Sequence, residues 1–200
     1  KQLRRPIIRN VTLYWMFTRG DSCGNKRVVT GSTTDFSQAT SWMSNGNSVQ
    51  LTNQARANNA DQPWLIVIRD TTTASQDNPY VGYDEFTNNL AQVAVSTGTT
   101  PVTIARDVRA GNESPNVTNP GLRLAADPRN GMMYALYQTS TGSAQPRMVT
   151  YHLNRSTDAG QSWTLHGNVD GLTVATVPSD QLRAKFGGVN DLLGGIDQPA

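Results

Sequence analysis

Apolar positions in this chain fall in short runs rather than along a helical stripe. Leu13-Tyr14-Trp15-Met16-Phe17, Leu65-Ile66-Val67-Ile68, Pro79-Tyr80-Val81-Gly82-Tyr83, Val93-Ala94-Val95, Met132-Met133-Tyr134-Ala135-Leu136-Tyr137 and Met148-Val149-Thr150-Tyr151-His152-Leu153 are separated by stretches rich in Gly, Pro, Asn, Asp, Ser and Thr. Runs of this length, rich in β-branched and aromatic residues and closed by turn formers, predict strands. A helical period is hard to find, apart from a short turn over Ser179-Asp180-Gln181-Leu182-Arg183. The expected class is all-β.

The runs repeat. Three strand-to-turn junctions align, Val28 to Asp35, Val93 to Gly98 and Tyr151 to Asp158, and taking Ser32, Ser96 and Ser156 as the common point gives steps of 64 and 60 residues. Upstream, Asp61-Gln62-Pro63-Trp64 is echoed by Leu124-Ala125-Ala126-Asp127-Pro128 and again by Ile196-Asp197-Gln198-Pro199. The aromatic runs at 13–17, 79–83 and 132–137 lie between the two kinds of element. Each unit therefore holds about four short strands, with approximate bounds 10–50, 60–110 and 120–170 and the start of another at 190–200. A four-stranded sheet cannot bury both faces alone, so units repeated at this period predict the blades of a β-propeller stacked on one another. Three blades are fewer than closure usually takes. The chain then reads as part of a longer propeller or as one completed by self-association, since an open arrangement exposes sheet faces.

Composition narrows the function classes. Charged residues make up only 16% and the net charge is +2, too small to imply nucleic acid or an anionic membrane as partner. The basic group Lys1, Arg4, Arg5 and Arg9 reads as a solvated terminus. No run approaches the length of a membrane-spanning helix, and no secretory leader is visible in a chain that opens on Lys1. The abundance of Ser, Thr, Asn, Gln and Gly fits an extracellular or cell-surface protein. Cys23 is alone, so no disulfide forms within the chain. Glycosylation sequons stand at Asn10, Asn112, Asn116 and Asn154.

Little here signals cofactor chemistry. His152 and His166 have no Cys, Asp or Glu at ligand spacing, so no metal site is expected. Gly187-Gly188 and Gly194-Gly195 lack the setting of a phosphate loop and read as loop glycines. No cofactor is expected. Trp15, Trp42, Trp64 and Trp163 sit at recurring strand positions and read as core, with sugar stacking the competing role.

The most specific stretch is Ser156-Thr157-Asp158-Ala159-Gly160-Gln161-Ser162-Trp163, which follows a strand-like run. Ser156 and Asp158 can accept from turn N–H groups, Gly160 tolerates positive φ, and Trp163 is placed to begin the returning strand and cover the turn. The pattern S-x-D-x-G-x-x-W, with Asp127-Pro128-Arg129-Asn130-Gly131 and its strand upstream, resembles the Asp box of the sialidase-like (BNR-repeat) β-propellers. The resemblance covers residues 50 to 170 best. It implies a six- or seven-bladed propeller in which Ser156, Asp158, Gly160 and Trp163 are structural and remote from the ligand face.

Members of that family cleave sialosides with an arginine triad, a tyrosine nucleophile assisted by a glutamate, and an aspartic acid/base. The family's Arg-Ile-Pro signature is not reproduced: Arg4-Arg5-Pro6-Ile7 has the ingredients in another order. Only two glutamates exist, Glu85 and Glu113. Tyr83 and Glu85 face one side of a strand, and Arg69-Asp70 end the run from Trp64. Arg69, Asp70, Tyr83 and Glu85 are thus the catalytic candidates, against a turn or ion-pair role for Arg69-Asp70 and a solvated acidic turn at Asp84-Glu85. The expected function is recognition of a glycan or an extracellular protein. The alternatives are a sialidase-like glycoside hydrolase with residues outside this chain, and a structural propeller in a larger assembly.

Overall fold

The computed structural model describes residues 7–9, 12–20, 26–35, 37, 48–50, 60–96, 104–113, 122–141, 147–179, 185–186 and 189–190. Among them are three four-stranded antiparallel sheets, each an up-and-down meander. The first runs β1 (Ile7–Arg9), β2 (Thr12–Gly20), β3 (Lys26–Thr33), β4 (Ser48–Gln50); the second β5 (Ala60–Arg69), β6 (Asp77–Glu85), β7 (Leu90–Ser96), β8 (Ile104–Asn112). The third is β9 (Arg123–Asp127), β10 (Met132–Thr141), β11 (Arg147–Ser156), β12 (Leu172–Ser179), and a small pair β13 (Lys185–Phe186), β14 (Val189–Asn190) follows. Trp42, the turn expected over 179–183 and the motif at Asp197 fall wholly or largely outside the described residues.

The sheets stack in sequence order. β2 and β3 lie over β5, β5 lies against β9, and β8 against β10 and β11. Period-two alternation sends Tyr14 and Met16 of β2 into one core with Leu65, Val67, Val81 and Tyr83. The opposite face of the second sheet, with Tyr80, Val93 and Val95, shares a second core with Leu122, Leu124, Met133, Ala135, Tyr137 and Trp163. Burying such side chains stabilises by about 1.5–3 kcal/mol each. Three meanders stacked this way are consistent with part of a β-propeller.

Two glycines on the second sheet admit the third. A Cβ at Gly82 would meet Leu122 and Leu124 at 3.0 Å. One at Gly111 would fall inside the ring of Tyr137, whose hydroxyl donates to the Asp170 carbonyl at 2.6 Å. Trp64, half-buried, donates to the Leu124 carbonyl at 3.1 Å and lies under the Arg123 guanidinium, 4.8 Å away.

The returning strand does not start at Trp163. Residues 157–171 form a loop with one bridge, Leu165 to Asn168, and β12 begins at Leu172. Trp163 is instead buried at 4% exposure in the core between the second and third sheets, so the loop wedges an aromatic between them.

Candidate functional site

The loop after β11 is held by its own side chains. Ser156 donates from Oγ to Asp158 Oδ1 at 2.7 Å and accepts from Gly160 N at 2.8 Å. Asp158 also accepts from Gln161 N and Ser162 N, both at 3.0 Å, and from Ser162 Oγ at 2.6 Å. Ala159 and Gly160 both take positive φ, and a Cβ at Gly160 would lie 2.8 Å from Val95. Burial opposes ionisation of Asp158, but the bonds from Ser162, Ser156 and Gln161 together outweigh it and hold the carboxyl below its usual range.

The β5–β6 hairpin is built the same way. Asp70 Oδ1 accepts from Thr72 N (2.8 Å), Thr72 Oγ1 (2.6 Å) and Thr73 N (2.7 Å), and Oδ2 accepts from Asn78 Nδ2 (2.8 Å). These donors, Thr72 first, hold Asp70 far below the usual carboxylate range. Arg69 reaches across the register to Asp77 at 3.3 Å and to the Ala74 carbonyl. Asp70 is therefore a fixed anion that shapes a turn.

These two turns, with Asn130-Gly131 between β9 and β10, enclose a cavity of about 280 Å³ between the second and third sheets. Asp70, Thr71, Tyr80, Thr157, Asp158 and Gln161 are among its lining. The Thr71 and Thr157 hydroxyls carry no hydrogen bond to another described group, and both residues are exposed. Burial pushes the Tyr80 phenol up to about 12, so it remains a donor throughout the physiological range. Two ionised carboxylates line this space; the Arg69 guanidinium at its rim pairs with Asp77, and that of Arg106, beside Tyr80, donates to the Ala159 carbonyl at 3.3 Å.

Tyr83 and Glu85 lie elsewhere. Arg69 pairs with Asp77 at the start of β6, and Glu85 ends it, about 26 Å away along the strand. The four candidates do not converge. The Tyr83 hydroxyl donates to Asp107 Oδ2 at 2.5 Å, and Glu85 accepts from Thr87 N at 2.8 Å and Asn88 N at 3.0 Å. The acidic turn expected to be solvated is buried, with Asp84 and Glu85 each at 0% exposure.

Sequence reasoning missed the partner of Asp84. Glu113, at 7% exposure just past β8, lies close enough to the Asp84 carboxyl for the two buried acids to oppose each other's ionisation. Burial first, then the Asp84 charge, raises the Glu113 carboxyl well above its ordinary value. The backbone places it there, since Glu113 N donates to the Asn89 carbonyl at 2.7 Å. No cluster of three His, Cys, Asp or Glu suited to a metal ion occurs among the described residues. No described helix is long and apolar enough to cross a membrane.

No family model matches the chain, and no curated protein matches it. Among solved structures it is similar to a thermostable family-43 glycoside hydrolase, at 15% identity and a TM-score of 0.47, over 83% of this chain and 55% of that one. It is also similar to a family-43 β-1,3-galactosidase, at 14% identity and a TM-score of 0.30, over 82% and 45%. The chain spans about half the length of each.

Proposed function

We propose that this chain is a carbohydrate-recognition segment of an extracellular or cell-surface propeller, and that it binds one neutral sugar ring in the cavity between the second and third sheets. The observation that carries this is the lining. The Asp70 and Asp158 carboxylates each keep one oxygen, Oδ2, that takes a single donor and has room to accept another, the Thr71 and Thr157 hydroxyls are adaptable, and Tyr80 supplies a donor in a space of about 280 Å³. A pyranose presents several hydroxyls that donate and accept, and a carboxylate accepts the strongest of such bonds.

The same lining separates this proposal from sialoside recognition. Two carboxylates repel an anionic sugar; of the two arginines beside them, Arg69 is paired with Asp77 and Arg106 is bonded to the Ala159 carbonyl. Membership of the sialidase-like family would then be a matter of shared architecture and of the turn at Ser156 to Trp163, not of substrate.

A glycoside hydrolase is the second reading, favoured by one observation: the Asp84–Glu113 pair, a buried carboxyl whose ionisation is opposed by burial and by an acidic partner, is the raw material of general acid catalysis. The test is a set of NMR titrations with neutral methyl pyranosides and with the methyl glycoside of sialic acid, alongside turnover assays on nitrophenyl glycosides. Recognition predicts shifts at Thr71, Thr157 and Gln161 with neutral sugars and no turnover. Turnover abolished by Glu113→Gln or Asp84→Asn would replace the first reading by the second.

A further inference from the structure

Tyr14 and Tyr80 occupy one structural position, each on the second strand of its sheet and packed against the sheet that follows. Tyr14 pairs with Ser32, just before Thr33, and Tyr80 with Val95, just before Ser96. Both are buried, at 3% and 1% exposure. Their hydroxyls differ. That of Tyr14 donates to Asp77 Oδ2 of the second sheet at 3.5 Å, and Asp77 Oδ1 accepts from Arg69 Nε at 3.3 Å. That of Tyr80 carries no hydrogen bond to another described group, and the residue lines the cavity between the second and third sheets.

The covering hairpins account for the difference. In the second sheet, pairing continues from Ile66 with Tyr80 as far as Arg69 with Asp77. In the third, it runs from Ala125 with Tyr134 only as far as Asp127 with Met132. Pro128 and Gly131 therefore stand where the second sheet has Arg69 and Asp77. Gly131 has no side chain to offer Tyr80, and Pro128 has no charge. The place that an arginine and an aspartate fill between the first two sheets is open between the next two. A phenol buried beside that opening with no partner of its own is satisfied by a ligand that enters it.

Charge decides which ligand. In and beside the cavity stand Asp70, Asp77 and Asp158 against two guanidinium groups, Arg69 paired with Asp77 and Arg106 bonded to the Ala159 carbonyl at 3.3 Å. Asp127 and Arg129 pair with each other. One negative charge is left over. Oδ2 of Asp70 and of Asp158 each accept one neutral donor, from Asn78 and Ser162. Resting on the sugar reading of this cavity, we propose that its preferred ligand is an amino sugar, a pyranose with a protonated primary amine. The ammonium group supplies the missing positive charge beside Asp70 and Asp158, and a ring hydroxyl accepts from Tyr80. An ammonium donates three bonds and accepts none, which suits carboxylates that only accept. The ligand thus brings a cation and an acceptor, the two parts that Arg69 and Asp77 play beside Tyr14.

The test is calorimetric titration of the full 200-residue chain at pH 6 and low salt with the methyl glycosides of glucosamine, N-acetylglucosamine and glucose. The amine should bind about tenfold more tightly than either neutral ring, the worth of one charged hydrogen bond over a neutral one. The ratio should fall towards one at about 0.5 M salt. It should fall likewise at pH 9, where the amine is neutral while both carboxylates stay ionised and Tyr80, pushed up to about 12, keeps its proton. Tyr80→Phe should weaken all three sugars alike, by about fivefold. Asp70→Asn should bring the ratio to about two or less, and Asp158→Asn should do the same if Asp70→Asn unfolds its turn. Neutral rings that bind as tightly as the amine at pH 6 would overturn the preference and leave the sugar reading standing. So would a tenfold ratio kept in both aspartate variants. Equal binding of cyclohexylammonium would assign the cavity to any organic cation and overturn the role of the ring. Binding of none of the three sugars would remove the sugar reading and the preference with it.

Discussion

The carboxyl groups of Asp84 and Glu113, on a strand and a connecting segment 29 positions apart, are buried beside one another in the second sheet. Glu113 lies above its ordinary value of 4.5, so the folded state holds a proton that the unfolded chain releases. Stability from this group is fully present below about pH 4.5 and is lost as pH rises towards the raised folded value. Glu113→Gln keeps a donor towards Asp84 without the titration. In denaturant melts from pH 5 to 9 the variant should be flatter than the parent and the more stable of the two at the alkaline end.

Gly111→Ala forces a methyl group into the ring of Tyr137. The ring is fixed by the bond to the Asp170 carbonyl and by stacking on His152, 5.2 Å away, so it cannot swing clear. Overpacking of this kind costs about 1–3 kcal/mol. Chemical denaturation should show that loss, and Tyr137→Leu in the same chain should recover part of it.

Ser156→Ala removes one donor to Asp158 and one acceptor for Gly160 N. The amide of Gly160 is buried, so the substitution should cost about 1–2 kcal/mol. Hydrogen exchange should show the loss as faster exchange at Gly160 and Gln161, with the first sheet unchanged.

Asn154 carries a glycosylation sequon but is wholly buried, its side-chain amide donating to the Ala110 carbonyl at 2.7 Å and the Val169 carbonyl at 2.9 Å. Peptide mass spectrometry of protein from a secretory host should find Asn154 unmodified, while exposed Asn112 remains open to modification. Asn154→Ala strands the buried Ala110 carbonyl, while the Val169 carbonyl of an exposed loop residue can turn to water, and should cost about 1–3 kcal/mol.

The repeat was legible because its marks are local. Ser32, Ser96 and Ser156 all fall on third strands and the aromatic runs on second strands. The alignment is one residue off in the first unit: Thr33 and Asp35 play the parts of Ser156 and Asp158, with Asp35 N donating to Thr33 Oγ1 at 3.0 Å and Ser37 N to Asp35 Oδ1 at 3.0 Å. Ser32 faces the next sheet instead. The scattering of the catalytic candidates was hidden by the hairpin at Asp70 to Gln76, which sends Glu85 to the far end of the sheet from Arg69. The Asp84–Glu113 pair depends on how β8 registers on β7, and the cavity on how one sheet sits on the next. Neither is written in any local pattern.

Calorimetric titration of the chain with a neutral methyl pyranoside, beside its Thr71→Ala/Thr157→Ala variant, tests the central claim most directly. The account predicts saturable binding by the parent, with Kd on the order of 1 mM for a single ring. It also predicts at least about fivefold weaker binding by the variant at unchanged Tm, and no binding of the sialic acid glycoside. Equal affinity in the two proteins, or preference for the anionic sugar, would contradict it.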